Sequence, residues 1–137
     1  MSANLDLVRS IYAAWERGDH RSAEWAQPKT EFVVVGVPEP SSLTGVADAL
    51  PGVEAWLSFW DDYRVEAEEY RELDAERVLV LARVSGRSKG SGVEVAQRRA
   101  SLFHVREAKV TRLVTYWDID RAFADLGLTP DTGNTGT

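Results

Sequence analysis

Apolar residues recur at spacings of three and four through Leu5, Val8, Ile11, Tyr12 and Trp15, which predicts a helix with one apolar face. Gly18 supplies a stop, and Asp19 is placed to cap a second short helix that runs through Trp25 and ends before Pro28. The β-branched run from Glu31 to Val37 predicts a strand, and Pro38-Glu39-Pro40-Ser41-Ser42 predicts a loop. A third helical region lies between Val46 and Trp60. Pro51-Gly52 marks a break in it, after which Val53, Trp56, Leu57 and Trp60 form a helical stripe.

From Tyr63 the pattern changes to long strands: Tyr63–Leu73, Arg77–Arg87, Val93–Arg106 and Lys109–Trp117. The turns fall at Asp74-Ala75, at Ser88-Lys89-Gly90-Ser91-Gly92 and at Glu107-Ala108. Links this short cannot carry a parallel crossover, so the four strands are antiparallel neighbours. Asp118 is placed to cap a last helix whose apolar face is Ile119, Ala122, Phe123 and Leu126, with Gly127 as its terminator. Residues 129–137 are small and polar and are expected to form a loose tail.

Helices first and a long meander afterwards predict one α+β domain over residues 1–128. In it a curved antiparallel sheet wraps the N-terminal helices as a cone. The open end of such a cone is a pocket. At 137 residues the chain is long enough to bury a core, and no run nears the roughly 20 apolar residues of a membrane span. The start, Met1-Ser2-Ala3-Asn4-Leu5-Asp6, has no basic segment followed by an apolar one, so no secretory signal is expected. With no cysteine, disulfides and thiol chemistry are excluded, and a cytoplasmic location is expected. The formal charge of −6 argues against nucleic acid as a partner. The basic residues Arg83, Arg87, Lys89, Arg98 and Arg99 are interleaved with strand positions and read mainly as a solvated face.

Strand parity assigns faces. Gln97, Arg99, Ser101, Phe103 and Val105 share one side, and Leu113, Thr115 and Trp117 share one side of the last strand. His104 falls on the opposite side with Leu102, and His20 follows a helix stop. Neither has carboxylates at ligand spacing, so no metal site is expected. The Ser88–Gly92 loop joins two strands and opens no helix, which argues against a phosphate cradle. The acidic run Glu66, Glu68, Glu69 and Glu72 reads as a solvated strand face.

The segment Leu7-Val8-Arg9-Ser10-Ile11-Tyr12-Ala13-Ala14-Trp15-Glu16-Arg17-Gly18-Asp19 resembles the opening helix and Gly-Asp turn of SnoaL-like domains, members of the nuclear transport factor two-like superfamily. Thr44-Gly45 and the ending Lys109-Val110-Thr111-Arg112-Leu113, Tyr116-Trp117-Asp118 and Leu126-Gly127-Leu128 fit the same pattern, so the likeness spans roughly residues 4 to 128. It implies the cone-shaped α+β fold, the inward direction of Leu113, Thr115 and Trp117, and an isologous homodimer through the outer sheet face. That outer face would carry Arg98, Ala100, Leu102, His104, Arg112, Val114 and Tyr116. The superfamily hosts isomerases, epoxide hydrolases, polyketide cyclases and simple binders, so the site decides.

The ketosteroid-isomerase type needs a carboxylate base and two acids. By resemblance those positions fall on Val34 or Gly36, on Ile11 and on Ser101, which cannot do that work. The epoxide-hydrolase type pairs an arginine with carboxylates. Arg99 resembles the arginine, but Ser101 and Thr115 stand where the acids would be, with Asp118 at the end of the last strand as the nearest replacement. Asp118 is also the expected helix cap.

Trp15, Trp25, Trp56, Trp60 and Trp117 are many for this length, and core filling explains most single cases. Trp117 near the rim, with Trp56 and Trp60 on the covering helix, would offer flat apolar surface and N–H donors to a planar ligand. The expected pocket is therefore Trp15, Trp56, Trp60, Ser101, Phe103, Leu113, Thr115 and Trp117, with Arg99 and Asp118 as candidate catalytic groups and no cofactor. A small, mostly apolar ring or polyketide-like molecule is the expected ligand. Two functions remain open: acid–base isomerase, cyclase or hydrolase chemistry, and a non-catalytic binding or dimerisation module.

Overall fold

The computed structural model describes residues 3–19, 24–35 and 41–128. Three helices and six strands follow in the order α1 (Ala3–Glu16), β1 (Ala26–Val35), β2 (Ser41–Thr44), α2 (Val46–Ser58), β3 (Trp60–Glu72), β4 (Arg77–Ser88), β5 (Glu94–Arg106), β6 (Lys109–Tyr116) and α3 (Ile119–Leu126). The strands form one curved, open sheet in the order β2-β1-β6-β5-β4-β3. The meander β3 to β6 is antiparallel, as its short turns require. β1 lies parallel to β6, with Phe32 beside Leu113, so the sheet is mixed where the chain pattern had suggested antiparallel pairing throughout.

Three local expectations need correction. Ser41–Thr44 is a strand and not a loop: its polar residues pair with β1, Leu43 opposite Phe32, and take their order from that neighbour. Helix α2 runs unbroken through Pro51 and Gly52 and ends at Ser58, leaving Trp60 to begin β3. Glu24 and Trp25 form a turn, and β1 starts at Ala26 and includes Pro28; the rest of the expected second helix falls on residues 20–23, outside the described residues. The tail beyond Leu128 and the segment 36–40 also lie outside them.

Two apolar layers sandwich the sheet. On the concave side Val8, Ile11 and Tyr12 of α1 pack on Val78, Val80, Ala82, Phe103, Val105 and Leu113, which fill the closed end of the cone. Tyr12 is enclosed by edge-on contacts with Trp15, Tyr70 and Phe103. On the convex side Ala122 and Phe123 of α3 cover Leu79, Leu81, Ala100, Leu102, Val114 and Tyr116. The alternation of apolar residues along β4 and β5 therefore runs unusually full, because both faces of these central strands are buried.

The entry to α2 is held by Gly45, whose φ of 96° suits glycine and whose N–H donates to the Thr30 carbonyl at 2.8 Å. A Cβ there would meet the Pro28 carbonyl oxygen at 3.1 Å. At the other end of the chain Asp118 accepts from the Asp120 N–H and Gly127 closes α3 in the left-handed region at φ 68°, as their positions in the sequence predicted.

Candidate functional site

At the open end of the cone the apolar filling stops and a cavity of about 150 Å³ remains. Its lining comes from three strands, one helix and the segment after β6: Trp56 from α2, Trp60 and Tyr63 from β3, Val84, Ser85 and Gly86 from β4, Val95, Gln97 and Arg99 from β5, and Trp117. Trp56 touches the other three rings of the set. Trp56 meets Trp60 at 5.4 Å, Trp117 at 5.7 Å and Tyr63 at 6.2 Å between centroids. Parity explains the set apart from Ser85: Val84 and Gly86 continue the inward face of Val80 and Ala82, and Val95 and Gln97 continue that of Arg99.

Arg99 is the cation of this site. Its guanidinium carbon lies 4.1 Å from the centre of the Trp117 ring and 5.2 Å from that of Trp56, within cation–π reach of both. One terminal nitrogen donates to Gln97 Oε1 at 3.3 Å, and Gln97 Nε2 donates to the Trp117 carbonyl at 3.4 Å. The Arg99 Nε and the Trp60 Nε1 are buried without a partner among the described residues. Burial pushes the Arg99 pKa down, with Tyr63 acting in the opposite direction. No salt bridge to Arg99 occurs among the described residues, whereas Arg98, its neighbour on the outer face, pairs with Glu68 at 2.9 Å.

Of the pocket residues expected from the sequence, Arg99, Trp56, Trp60 and Trp117 are brought together around this cavity. Phe103 and Leu113 are buried deeper, in the α1-facing core, and Trp15 packs against that core. Ser101 and Thr115 are opposite one another on β5 and β6 and do not belong to the lining. The Tyr12 hydroxyl shares a hydrogen bond with the Ser101 side chain, and its burial raises its pKa strongly. Asp118 is exposed and its carboxylate is engaged in capping α3, so it stands outside the cavity. Tyr63, Val84, Ser85, Gly86, Val95 and Gln97 were missed as lining residues, although the face shared by Gln97 and Arg99 was readable from the alternation.

His104 lies on the outer side of β5, half-buried, with its Nε2 unpartnered. Burial, then Arg112 and Arg77, hold its pKa below the ordinary value of 6.5. His20 is outside the described residues. No grouping of three or more His, Cys, Asp or Glu suited to a metal is found among the described residues. A second depression of about 380 Å³ lies beside Arg64, Arg83, Arg87, Asp62 and Glu94; it is polar, and its arginines Arg64 and Arg87 already face Asp62 and Glu94 at 3.6 and 3.3 Å. No helix among the described residues is long and apolar enough to cross a membrane.

A curved sheet, helices in its hollow and a cavity at its open end are the fold of the SnoaL-like, nuclear transport factor two-like proteins. Among solved structures, a nuclear transport factor two-like protein of unknown function from Burkholderia pseudomallei superposes with a TM-score of 0.75 at 16% identity, over 90% of this chain and 97% of that one. A protein from Jannaschia sp. CCS1 named as a SnoaL-like polyketide cyclase gives 0.71 at 18% identity, over 93% and 94%. A protein of ketosteroid isomerase-like fold from Catenulispora acidiphila, in complex with trimethylamine, gives 0.69 at 18%, over 92% and 95%. No family model matches the sequence. Within this fold the chain belongs to the same family as the uncharacterized protein Rv0034 of Mycobacterium tuberculosis H37Rv, with 33% identity over 121 residues, 84% of this chain and 88% of that protein.

Proposed function

We propose that the protein binds a small, mostly apolar ring compound in the aromatic cavity at the open end of its cone. The observation that carries this reading is the enclosure formed by Trp56, Trp60, Tyr63 and Trp117, whose rings leave a space of about 150 Å³ instead of filling it. An apolar cavity of about that size takes one benzene-sized ring. A larger ligand would leave its remainder at the mouth, beside Val95. The trimethylamine complex of the Catenulispora protein supports small-molecule binding as a use of this fold.

Neutral probes test the reading. Isothermal titration with cinnamyl alcohol and 1-indanone should give saturable binding to the wild type, weakened about tenfold or more in Trp56→Leu and Trp117→Leu, since an aromatic wall contributes about 1.5–3 kcal/mol when buried. Equal behaviour of wild type and both variants would overturn it.

A second reading, turnover by isomerase, cyclase or hydrolase chemistry, draws on the neighbour named as a polyketide cyclase and on Arg99 as a group able to polarise an oxygen. Among the described residues it lacks a base: none of those lining the cavity is a carboxylate or a histidine. Asp118, beyond the rim, would have to leave its cap to serve. Ser101 and Thr115 would act only on a ligand that reached below the cavity floor. Binding is therefore the reading we favour.

We further propose a cytoplasmic homodimer. Helix α3 covers the centre of the outer sheet face, which leaves the outward side of α3 and the charged strand ends around Arg98 for a second copy. Sedimentation of the purified chain as a monomer would remove the dimer.

A further inference from the structure

Arginine side chains stay charged in proteins, and a cation taken out of water requires an anion or a full set of acceptors. Arg99 has neither. Its Nε is buried without a partner, and the acceptor given to its terminal nitrogens is the neutral Gln97 amide at 3.3 Å. The other arginines that reach a carboxylate do so on the outer face or in turns, as Arg98 does with Glu68 and Arg77 with Asp74. Among the described residues the cavity walls add no negative side chain: Tyr63 is the only other titratable one lining them. The guanidinium carbon sits in the corner of two indoles inclined at 67°, 4.1 Å from one ring centre and 5.2 Å from the other, and the Arg99 side chain is part of the cavity wall. The planar guanidinium fork is matched by a carboxylate or by a delocalised enolate or phenolate.

Resting on the pocket reading above, we propose that the ligand is a planar aromatic or conjugated anion whose ring occupies the tryptophan-lined cavity while its anionic oxygen pairs with Arg99. The same geometry rejects the opposite charge. An aromatic enclosure attracts cations when it is empty of them, but here Trp56 and Trp117 already face the Arg99 cation, and a quaternary ammonium would meet like charge. The trimethylamine bound by the Catenulispora protein is thus a ligand this chain should refuse.

The test uses the full chain and a matched series at pH 7.5: cinnamate, cinnamamide and cinnamyl alcohol, with tetramethylammonium as the cationic control. Cinnamate should bind wild type about 10–100-fold more tightly than its amide, the range a hydrogen bond to a charged group supplies. Arg99→Gln and Arg99→Met should both abolish that preference by weakening cinnamate far more than the amide; the second keeps an apolar stem and guards against a folding defect. Equal affinity for cinnamate and cinnamamide in wild type, with Trp117→Leu weakening both, would leave the pocket in place and overturn the anion. Tetramethylammonium binding more tightly than cinnamate would also overturn it. Absence of all binding by the three cinnamyl compounds would overturn the pocket itself.

Discussion

A Cβ on Gly86 would lie 3.1 Å from Cε3 of Trp60, so the bare backbone of β4 is what lets that indole settle against the sheet. Trp60 in turn rests on Trp56 and Tyr63, and its displacement would move the whole aromatic wall. Gly86→Val should therefore cost about 1–3 kcal/mol in stability through overpacking. It should also weaken binding of cinnamyl alcohol more than its stability loss explains, because the folded fraction carries a misplaced Trp60. Urea unfolding with titration calorimetry on the same preparation checks both. Unchanged affinity would mean that Trp60 does not shape the cavity.

The four-stranded meander was readable almost residue by residue, since β-branched alternation and short turns leave few other arrangements. β3, β4, β5 and β6 begin or end within three residues of the expected positions. Face was readable too, which is why Arg99 and Trp117 meet. Depth along the cone was not. Arg99 and Phe103 share a face of β5, yet one borders the cavity and the other is fully buried, because Tyr12 and Trp15 of α1 fill only the closed end. How far a helix reaches into a sheet depends on contacts between distant segments, and no local spacing records it. Ser41–Thr44 illustrates the same limit: its order comes from β1, and the residues themselves carry turn composition.

Thr30 joins strands that the sequence could not pair. Its hydroxyl receives the Gln27 N–H at 2.8 Å and donates to the Val110 carbonyl at 2.6 Å, fully buried where the register between β1 and β6 shifts. Thr30→Val keeps the volume but strands a buried donor and a buried acceptor, which costs about 1–3 kcal/mol. The urea midpoint should fall accordingly. Ligand affinity should hold, because Thr30 does not line the cavity.

His104 makes stability depend on pH near neutrality. Its pKa is lowered in the folded protein from an ordinary 6.5 by burial first, then by Arg112 and Arg77. The unfolded chain therefore takes up the proton first as pH falls. Stability is full above about pH 7.5, declines as pH drops through the unfolded value near about 6.5, and stops declining once the folded histidine also protonates. Asp74 acts in a separate window. Its pKa is lowered from 3.8 by the Glu76 N–H and then by Arg77, so its contribution is present above the unfolded value and lost as pH falls through the folded one. His104→Gln should flatten the thermal midpoint between pH 5 and about 7 and leave the limb below pH 4 intact. A slope unaltered by the substitution would assign it to another group.

Asp118 separates the two readings of this site. As found, its carboxylate accepts from the Asp120 N–H at 2.9 Å and starts the helix that lays Phe123 over the outer face, where the Arg71 guanidinium carbon sits 5.0 Å from the ring centre. Asp118→Ala should then cost about 1 kcal/mol, the usual loss of a helix cap. Phe123→Ala should cost about 3–5 kcal/mol by emptying a buried aromatic position. Both substitutions act from the convex side or the rim, so cinnamate affinity should stay within about twofold for whatever fraction remains folded. A loss of tenfold or more in Asp118→Ala at full folding would place that carboxylate in contact with ligand. Acid–base turnover would then become the better account of a cavity that otherwise, among the described residues, holds a cation and no base.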